Sequence, residues 1–362
     1  MPDTRTHASR SIPMTSPRIA VIAGDGVGQE VIPSAMRVLS EVADLDFVEF
    51  PWGSEFFLQT GSMMPSNGLE TLAGFDAIYL GAVGWPTVPD HVSLWGLLLP
   101  IRKTFEQYVN LRPVTLLPGV RSPLRGREPA DINMLFFREN TEGEYSGTGG
   151  RVHVGTDAEL AVEVPVFTRA AIERVARVAF SHAKRRSGRL ISVTKSNASR
   201  YNYVLWDETV AGVGADFPDV ELQRVHVDAM AARMVSRPDS VDVVVGSNLF
   251  ADILTDLGAA IQGGLGLAAS ANLNPERKHP SMFEPVHGSA PDIAGMRRAN
   301  PIGAIMTGVL MLRHVELAPA AARVEHAVAQ VTTRGEFLTA DLGGSASTDQ
   351  VTDAVIQALR AD

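Results

Sequence analysis

The 362-residue sequence has no cysteine. That absence excludes disulfide bridges, thiolate nucleophiles and cysteine-ligated zinc. Aromatic residues are scarce, at 6%. No apolar run approaches the ~20 residues that a membrane-spanning helix needs. Basic residues are the minority charge, 32 against 41 acidic ones, for a net charge of −9. Such a chain is poorly suited to nonspecific binding of nucleic acid or an anionic membrane. Residues 1–17 are polar and hold Pro, Ser and Thr but no apolar signal-like segment. They predict a disordered tail rather than a signal peptide, and a cytoplasmic protein. The apolar share, 45%, is ample for a full core. The length suits two domains or one large one.

What is present is an alternation of short apolar strands with amphipathic helices. It predicts an α/β architecture with largely parallel strand pairing. Strands are expected at 18–23, 75–81, 114–117, 133–137, 190–193, 220–227 and 241–245. Helices are expected at 30–42, 94–108, 168–185, 203–213, 229–235, 303–316, 318–331 and 348–359. Alternating apolar residues in 151–167 predict a hairpin with one buried face. Residues 270–301 read as one long polar loop, and a loop of that size in a compact domain is usually functional. The first strand runs into Gly24-Asp25-Gly26-Val27-Gly28 and then a helix. That layout can aim backbone N–H groups at an anion. The motif is neither the dinucleotide fingerprint, because Gln29 takes the place of the third glycine, nor a P-loop, and a plain tight turn is the better explanation.

The chain is organised around GSNLFADILTDL, residues 246–257. Asp252 and Asp256 lie four apart on an expected helix, with Leu249, Ile253 and Leu257 on another face and Leu254 beside them. Side by side, two like charges cost only a few tenths of a kcal/mol, roughly, so spacing alone also fits a solvated helix face. The flanking apolar strand and the Gly-rich segment 263–266 favour presentation of oxygen ligands to a hard divalent cation. Asp228, at another strand end, would complete a three-carboxylate set for Mg²⁺ or Mn²⁺.

Three further clusters carry possible chemistry. Arg102 and Arg112 flank a helix end, and Arg138 follows an apolar strand; three guanidinium forks suit a substrate with two carboxylates, although surface ion pairs are the commoner role of any one arginine. Tyr145 and Lys195 follow strands among small polar residues, where they can serve as proton donor and general base or simply face solvent. In FEPVHGSAPDIAG (283–295), His287 and Gly288 through Asp292 can wrap a nucleotide, with Asp292 accepting from ribose hydroxyls; an ordinary surface loop is the alternative.

Taken together, GDGVGQE (24–30), IRKTFEQYVNLRP (101–113), RENTEGEY (138–145), TKSN (194–197), VDAMAARMV (227–235), GSNLFADILTDLG (246–258) and EPVHGSAPDIAG (284–295) resemble the β-decarboxylating dehydrogenases. These include 3-isopropylmalate, isocitrate, tartrate and D-malate dehydrogenases, and the resemblance covers the chain from about Arg18 onward. GAVGWP (81–86), DHVSLWG (90–96) and 270–293 are most similar to the tartrate/D-malate branch. The resemblance implies the isopropylmalate-dehydrogenase-like fold, with a cofactor-binding domain of 18–107 plus 265–362. A substrate and dimerisation domain of 108–264 would carry the hairpin 151–167 as an arm. It implies that Arg102, Arg112 and Arg138 bind substrate carboxylates, that Asp228, Asp252 and Asp256 hold Mn²⁺ or Mg²⁺, that Lys195 takes the C2 hydroxyl proton and that Tyr145 protonates the enol after CO₂ leaves. It places Glu284, His287, Gly288, Ser289, Ala290, Asp292, Ile293 and Asn300 around the adenosine half of the cofactor. It implies a homodimer in which Lys195 and Asp228 cross the interface, with K⁺ a further candidate ion.

Asp292 followed by Ile293 stands where NADP-dependent relatives carry Lys and Tyr, so NAD is expected. Trp95 stands where the isopropylmalate branch has an acid, which favours a compact substrate, D-malate or a tartrate, over 3-isopropylmalate. A non-catalytic family member, or a metal-dependent phosphotransferase or hydrolase, would be expected to lack part of this set.

Overall fold

The computed structural model describes residues 16–361. The tail expected at 1–17 lies outside the described residues except for Ser16 and Pro17. The strands are β1 (Arg18–Gly24), β2 (Asp46–Glu49), β3 (Ala77–Ala82), β4 (Val109–Thr115), β5 (Asn133–Glu139), β6 (Gly149–Val152), β7 (Leu160–Glu163), β8 (Arg189–Thr194), β9 (Glu221–His226), β10 (Val243–Gly246), β11 (Ala271–Leu273) and β12 (Ser281–Phe283). Ten of them form one sheet in the order β2-β1-β3-β12-β11-β4-β5-β10-β8-β9. Both outer stretches pair in parallel, and their inner strands β1, β3, β8 and β10 are buried and apolar, as parallel strands linked by helices should be. The middle, β12-β11-β4-β5, is antiparallel.

That middle corrects two expectations. The segment 270–301 is not one continuous loop, because β11 and β12 insert into the centre of the sheet. They are three residues each, too short to read by periodicity. The strand expected at 114–117 begins earlier, at Val109, so Asn110 and Arg112 lie inside the sheet. The helix expected over 94–108 starts earlier, at Asp90, ends at Thr104 and contains a π turn at Leu94–Leu98, in which the N–H of Leu99 bonds to Leu94 O. Pro100 follows at once and has no N–H to donate, which accounts for the widened turn.

The hairpin is present as β6 paired with β7. The expected buried face is not, because Val152, Val154, Leu160, Val162 and Val164 are all exposed in the single chain. The helix expected at 168–185 begins at Arg169, and the Thr168 hydroxyl caps it by accepting from the Ala171 N–H.

Two histidines record the burial of this core. His182 packs on Phe137 and His314 on Phe283, with ring centroids 4.8 and 5.4 Å apart. Burial, aided by Arg185 and Arg186 in the first case and Arg277 in the second, lowers both imidazoles to about 4. The unfolded chain takes up the same protons near ~6.5. The unfolded state therefore binds more protons between these values, and stability is complete above them and lost as pH falls. The expected loss is about 1–2 kcal/mol per imidazole after allowance for partial exposure. Between about pH 7.5 and about pH 4.5 the wild type should lose more melting temperature than a His182→Gln/His314→Gln variant. Equal losses would contradict this.

Candidate functional site

The Asp252 helix spans Asn248–Ile261 and follows β10. Its buried face is Asn248, Ala251, Leu254, Thr255, Gly258, Ala259 and Ile261. Leu249, Ile253 and Leu257 lie outside that face, and Ile253 is 58% exposed. The helix lies so close to β4 that a Cβ on Gly258 would come within 2.5 Å of Val114. That approach carries Asp252 to the ends of β4 and β5, where the arginines stand.

All three arginines are buried, with 3 to 7% of their surface exposed. Arg138, on β5, donates from Nε to Asn248 Oδ1 at 2.9 Å and from Nη1 to Asp252 Oδ1. Arg112, on β4, lies 3.1 Å from Asp252 Oδ1 and 3.8 Å from Asp256 Oδ1, and its Nη1 donates to Thr255 Oγ1 at 2.8 Å. Arg102 pairs with Glu284, and its buried Nε has no partner. The Tyr145 hydroxyl donates to Asp252 Oδ2 at 3.0 Å.

The electrostatics follow from this crowding. Burial, then the charge of Arg112, lowers Arg138 to about 10 despite Asp252. Burial by itself pushes Asp252 up, but Arg138, Arg112 and the Tyr145 hydrogen bond together hold it below the usual carboxylate range. Burial, then Asp252, raises Tyr145, so the phenol keeps its proton at neutral pH. Burial also raises Asp256, against the pull of Arg112. The site thus holds an ionised Asp252, a protonated tyrosine and a surplus of buried positive charge.

Lys195 and Asp228 are elsewhere. Lys195 Nζ reaches Asp228 Oδ1 at 2.6 Å, and Asp228 is exposed. The Lys195 hydrogen bond lowers the Asp228 carboxyl. Among the described residues no three acidic or histidine side chains lie close enough to hold a metal ion. The chain therefore brings Asp252 and Asp256 together with the arginines and Tyr145, but leaves Asp228 and Lys195 as a separate pair.

The residues expected around a nucleotide divide similarly. A cavity of ≈ 490 Å³ is lined by Val27, His287, Gly288, Ala290, Ile293 and Asn300, with Arg298 and Asp341 among its remaining walls. His287 Nε2 is buried there without a partner, and burial lowers the imidazole, which is neutral at pH 7. Asn300 donates to Asp341 at 3.0 Å. Ser289 is buried, and its carbonyl accepts from the Val27 N–H at 2.8 Å. The glycine turn therefore docks on this loop: a Cβ on Gly26 would fall 2.0 Å from Ser289 O. The plain-turn alternative accounts for the motif, since the Val27 amide is not free for an anion. Asp292 is exposed and outside the cavity lining. Glu284 belongs with Arg102 rather than with this cavity.

Sequence reasoning missed Asn248 and Thr255, which orient Arg138 and Arg112. Their signal was present as polar residues four before and three after Asp252, on the buried side of an otherwise apolar helix. Trp95, on the π turn, is 44% exposed and lies against Gly147, two residues after Tyr145, where a Cβ would come within 2.3 Å of its ring. Lys103 Nζ sits 4.9 Å from that ring's centroid.

Known proteins similar to this chain are numerous. The profile of the isocitrate/isopropylmalate dehydrogenase family matches residues 18–355. A probable tartrate dehydrogenase/decarboxylase of Agrobacterium vitis is 50% identical over 349 residues, covering 94% of this chain and 97% of that protein. The D-malate dehydrogenase [decarboxylating] of Escherichia coli is 48% identical over 359 residues, covering 96% and 99%. The crystal structure of isocitrate dehydrogenase from Methylococcus capsulatus superposes with a TM-score of 0.86 at 32% identity, covering 95% of this chain and 99% of that one. The chain belongs to the isocitrate/isopropylmalate dehydrogenase family.

Proposed function

We propose that the protein oxidises a compact 2-hydroxy dicarboxylic acid, D-malate or a tartrate, with NAD, and releases CO₂ to leave a 2-keto acid. The observation that carries this reading is the contact of two buried arginines, Arg112 and Arg138, with Asp252 beside a protonated Tyr145, with the charge of buried Arg102 also felt there. Asp252 and Glu284 are the carboxylates in close contact with them, so positive charge remains for an incoming dianion. The names of the tartrate and D-malate relatives support the substrate class.

Each residue then has a task. Arg102, Arg112 and Arg138 grip the two carboxylates and hold the substrate in one pose. Lys195 accepts the C2 hydroxyl proton as the C2 hydride leaves. The bond from C3 to its carboxylate breaks, and the Tyr145 hydroxyl returns a proton to C3. Asp252 and Asp256 offer hard oxygen donors one helical turn apart, and Asp228 of a second copy would add a third; this set suits Mg²⁺ or Mn²⁺. When bound, the cation supplies Lewis-acid polarisation of the oxygen at C2. Trp95, bulky and uncharged beside the Tyr145 loop, disfavours a branched alkyl group at C3.

A homodimer accounts for what the single chain leaves incomplete. Lys195 and Asp228 stand apart from the arginines. The hairpin valines and Ile253 expose apolar surface suited to a second copy. We also propose the two-domain division at 107/108 and 264/265. In support, two core clusters are built from residues on the 19–105 and 267–359 side and two from 108–261.

For the cofactor, the neutral His287 and the largely apolar cavity suit an adenosine, and Asp292 beside Ile293 favours a free ribose diol over a phosphate. Specificity, kcat/KM for NAD⁺ over NADP⁺, should exceed about tenfold. A preference for NADP⁺ would overturn this choice. The functional reading is tested by NADH formation from D-malate, L-tartrate, meso-tartrate and 3-isopropylmalate, with and without K⁺. Turnover of D-malate or a tartrate faster than 3-isopropylmalate is expected. The reverse order would refute the proposed substrate.

A further inference from the structure

Arg112 is held from behind by a side chain two residues earlier. Asn110 and Arg112 project from the same face of β4. Asn110 is fully buried, at 0% exposure. Its Oδ1 accepts from Arg112 Nε at 2.6 Å, and its Nδ2 donates to Asn272 Oδ1 at 2.9 Å. Asn272 is its partner across the ladder on β11, and Arg138 its partner on β5. Asn272 Oδ1 also accepts from Asn140 Nδ2 at 2.9 Å, and that amide reaches Gln107 O at 2.9 Å.

These amides do not serve each other equally. Gln107 Oε1, Asn140 Oδ1 and Asn272 Nδ2 are buried without partners, which is costly. Asn110 is satisfied at both ends, with the guanidinium on one side and the network on the other. An arginine fork is planar, so fixing its Nε edge fixes where its Nη1 points. Here Nη1 points at Thr255, 2.8 Å away, and at Asp252, 3.1 Å away. Thr255 holds only one nitrogen and cannot by itself set the plane.

We propose that Asn110, anchored by Asn272, is a positioning residue that sets the plane of the Arg112 guanidinium and thereby the affinity for the hydroxy-diacid. This rests on the reading of Arg112 as a carboxylate clamp. Asn110 touches no reacting atom and acts through the arginine.

Steady-state kinetics on the full-length enzyme separate this from a merely structural role. Asn110→Ala should raise KM for the diacid by about 10- to 100-fold, as a displaced clamp does. KM for NAD⁺ should move by less than about twofold. Asn272→Ala should raise the diacid KM by a smaller factor, about 3- to 10-fold, and the double variant should be no worse than Asn110→Ala alone. Equal changes in both KM values, or a lowered melting temperature with neither KM moved, would overturn the proposal. If Asn110→Ala does not fold, Asn272→Ala decides: an unchanged diacid KM overturns the proposal. A wild type that turns over no hydroxy-diacid would sink the functional reading and this inference with it. Wild-type turnover with an unmoved diacid KM in Asn110→Ala would sink the positioning role only.

Discussion

Asp252→Asn is expected to lower turnover by roughly 10³-fold, because a Lewis-acid site that loses a ligand forfeits several kcal/mol of transition-state stabilisation. The same change should also reveal how the site is balanced. Asp252 is the carboxylate closest to both Arg138 and Arg112, two side chains with little surface exposed. Asparagine keeps the shape but leaves two buried guanidinium groups without their counter-charge. Breaking one partner of a buried pair costs about 3–5 kcal/mol. The melting temperature should therefore fall by several degrees while far-UV circular dichroism stays native. Added D-malate or tartrate should recover part of the loss, since the dianion replaces the missing charge. Retained turnover, or an unchanged melting temperature, would show that Asp252 does not hold this cluster together.

The second large effect concerns sharing between subunits. Neither Lys195→Ala nor Asp252→Asn should be active alone. If Lys195 and Asp228 reach the arginine site of a second copy, a mixed dimer of these two variants contains one intact site and one doubly altered site. Mixed dimers form half of a statistical mixture, so activity should return to about a quarter of the wild-type value after subunit exchange. Each variant purified separately supplies the baseline. No recovery, with mixed dimers demonstrated by differential tagging, would mean that each chain uses its own lysine. Charged substitutions in the hairpin, Val152→Asp with Val162→Asp, should abolish recovery and yield monomers, because these valines are exposed in the single chain.

Much of this was legible in the sequence because it lies in local patterns. The strand–helix alternation and the i, i+4 spacing of Asp252 and Asp256 depend only on near neighbours, and each is found where the pattern placed it. The central strands were not legible. Three residues at Ala271–Leu273 and three at Ser281–Phe283 have no period to detect, and only their pairing with β4 and β3 makes them strands. The buried face of the Asp252 helix was not legible for a related reason. Leu249, Ile253 and Leu257 are more apolar than Asn248 and Thr255, yet the polar pair is buried because it binds the arginines. The separation of Asp228 from Asp252 could not be read from spacing at all, since the two stand on different helices and their distance depends on how those helices pack.

The proposed reaction requires a divalent cation near Asp252 and Asp256, shared with a hydroxy-diacid. The most direct test is D-malate and tartrate oxidation by enzyme stripped with a chelator, followed by readdition of Mn²⁺ or Mg²⁺. NADH formation should stop on stripping and return with either ion. Undiminished turnover by the fully chelated enzyme would contradict it.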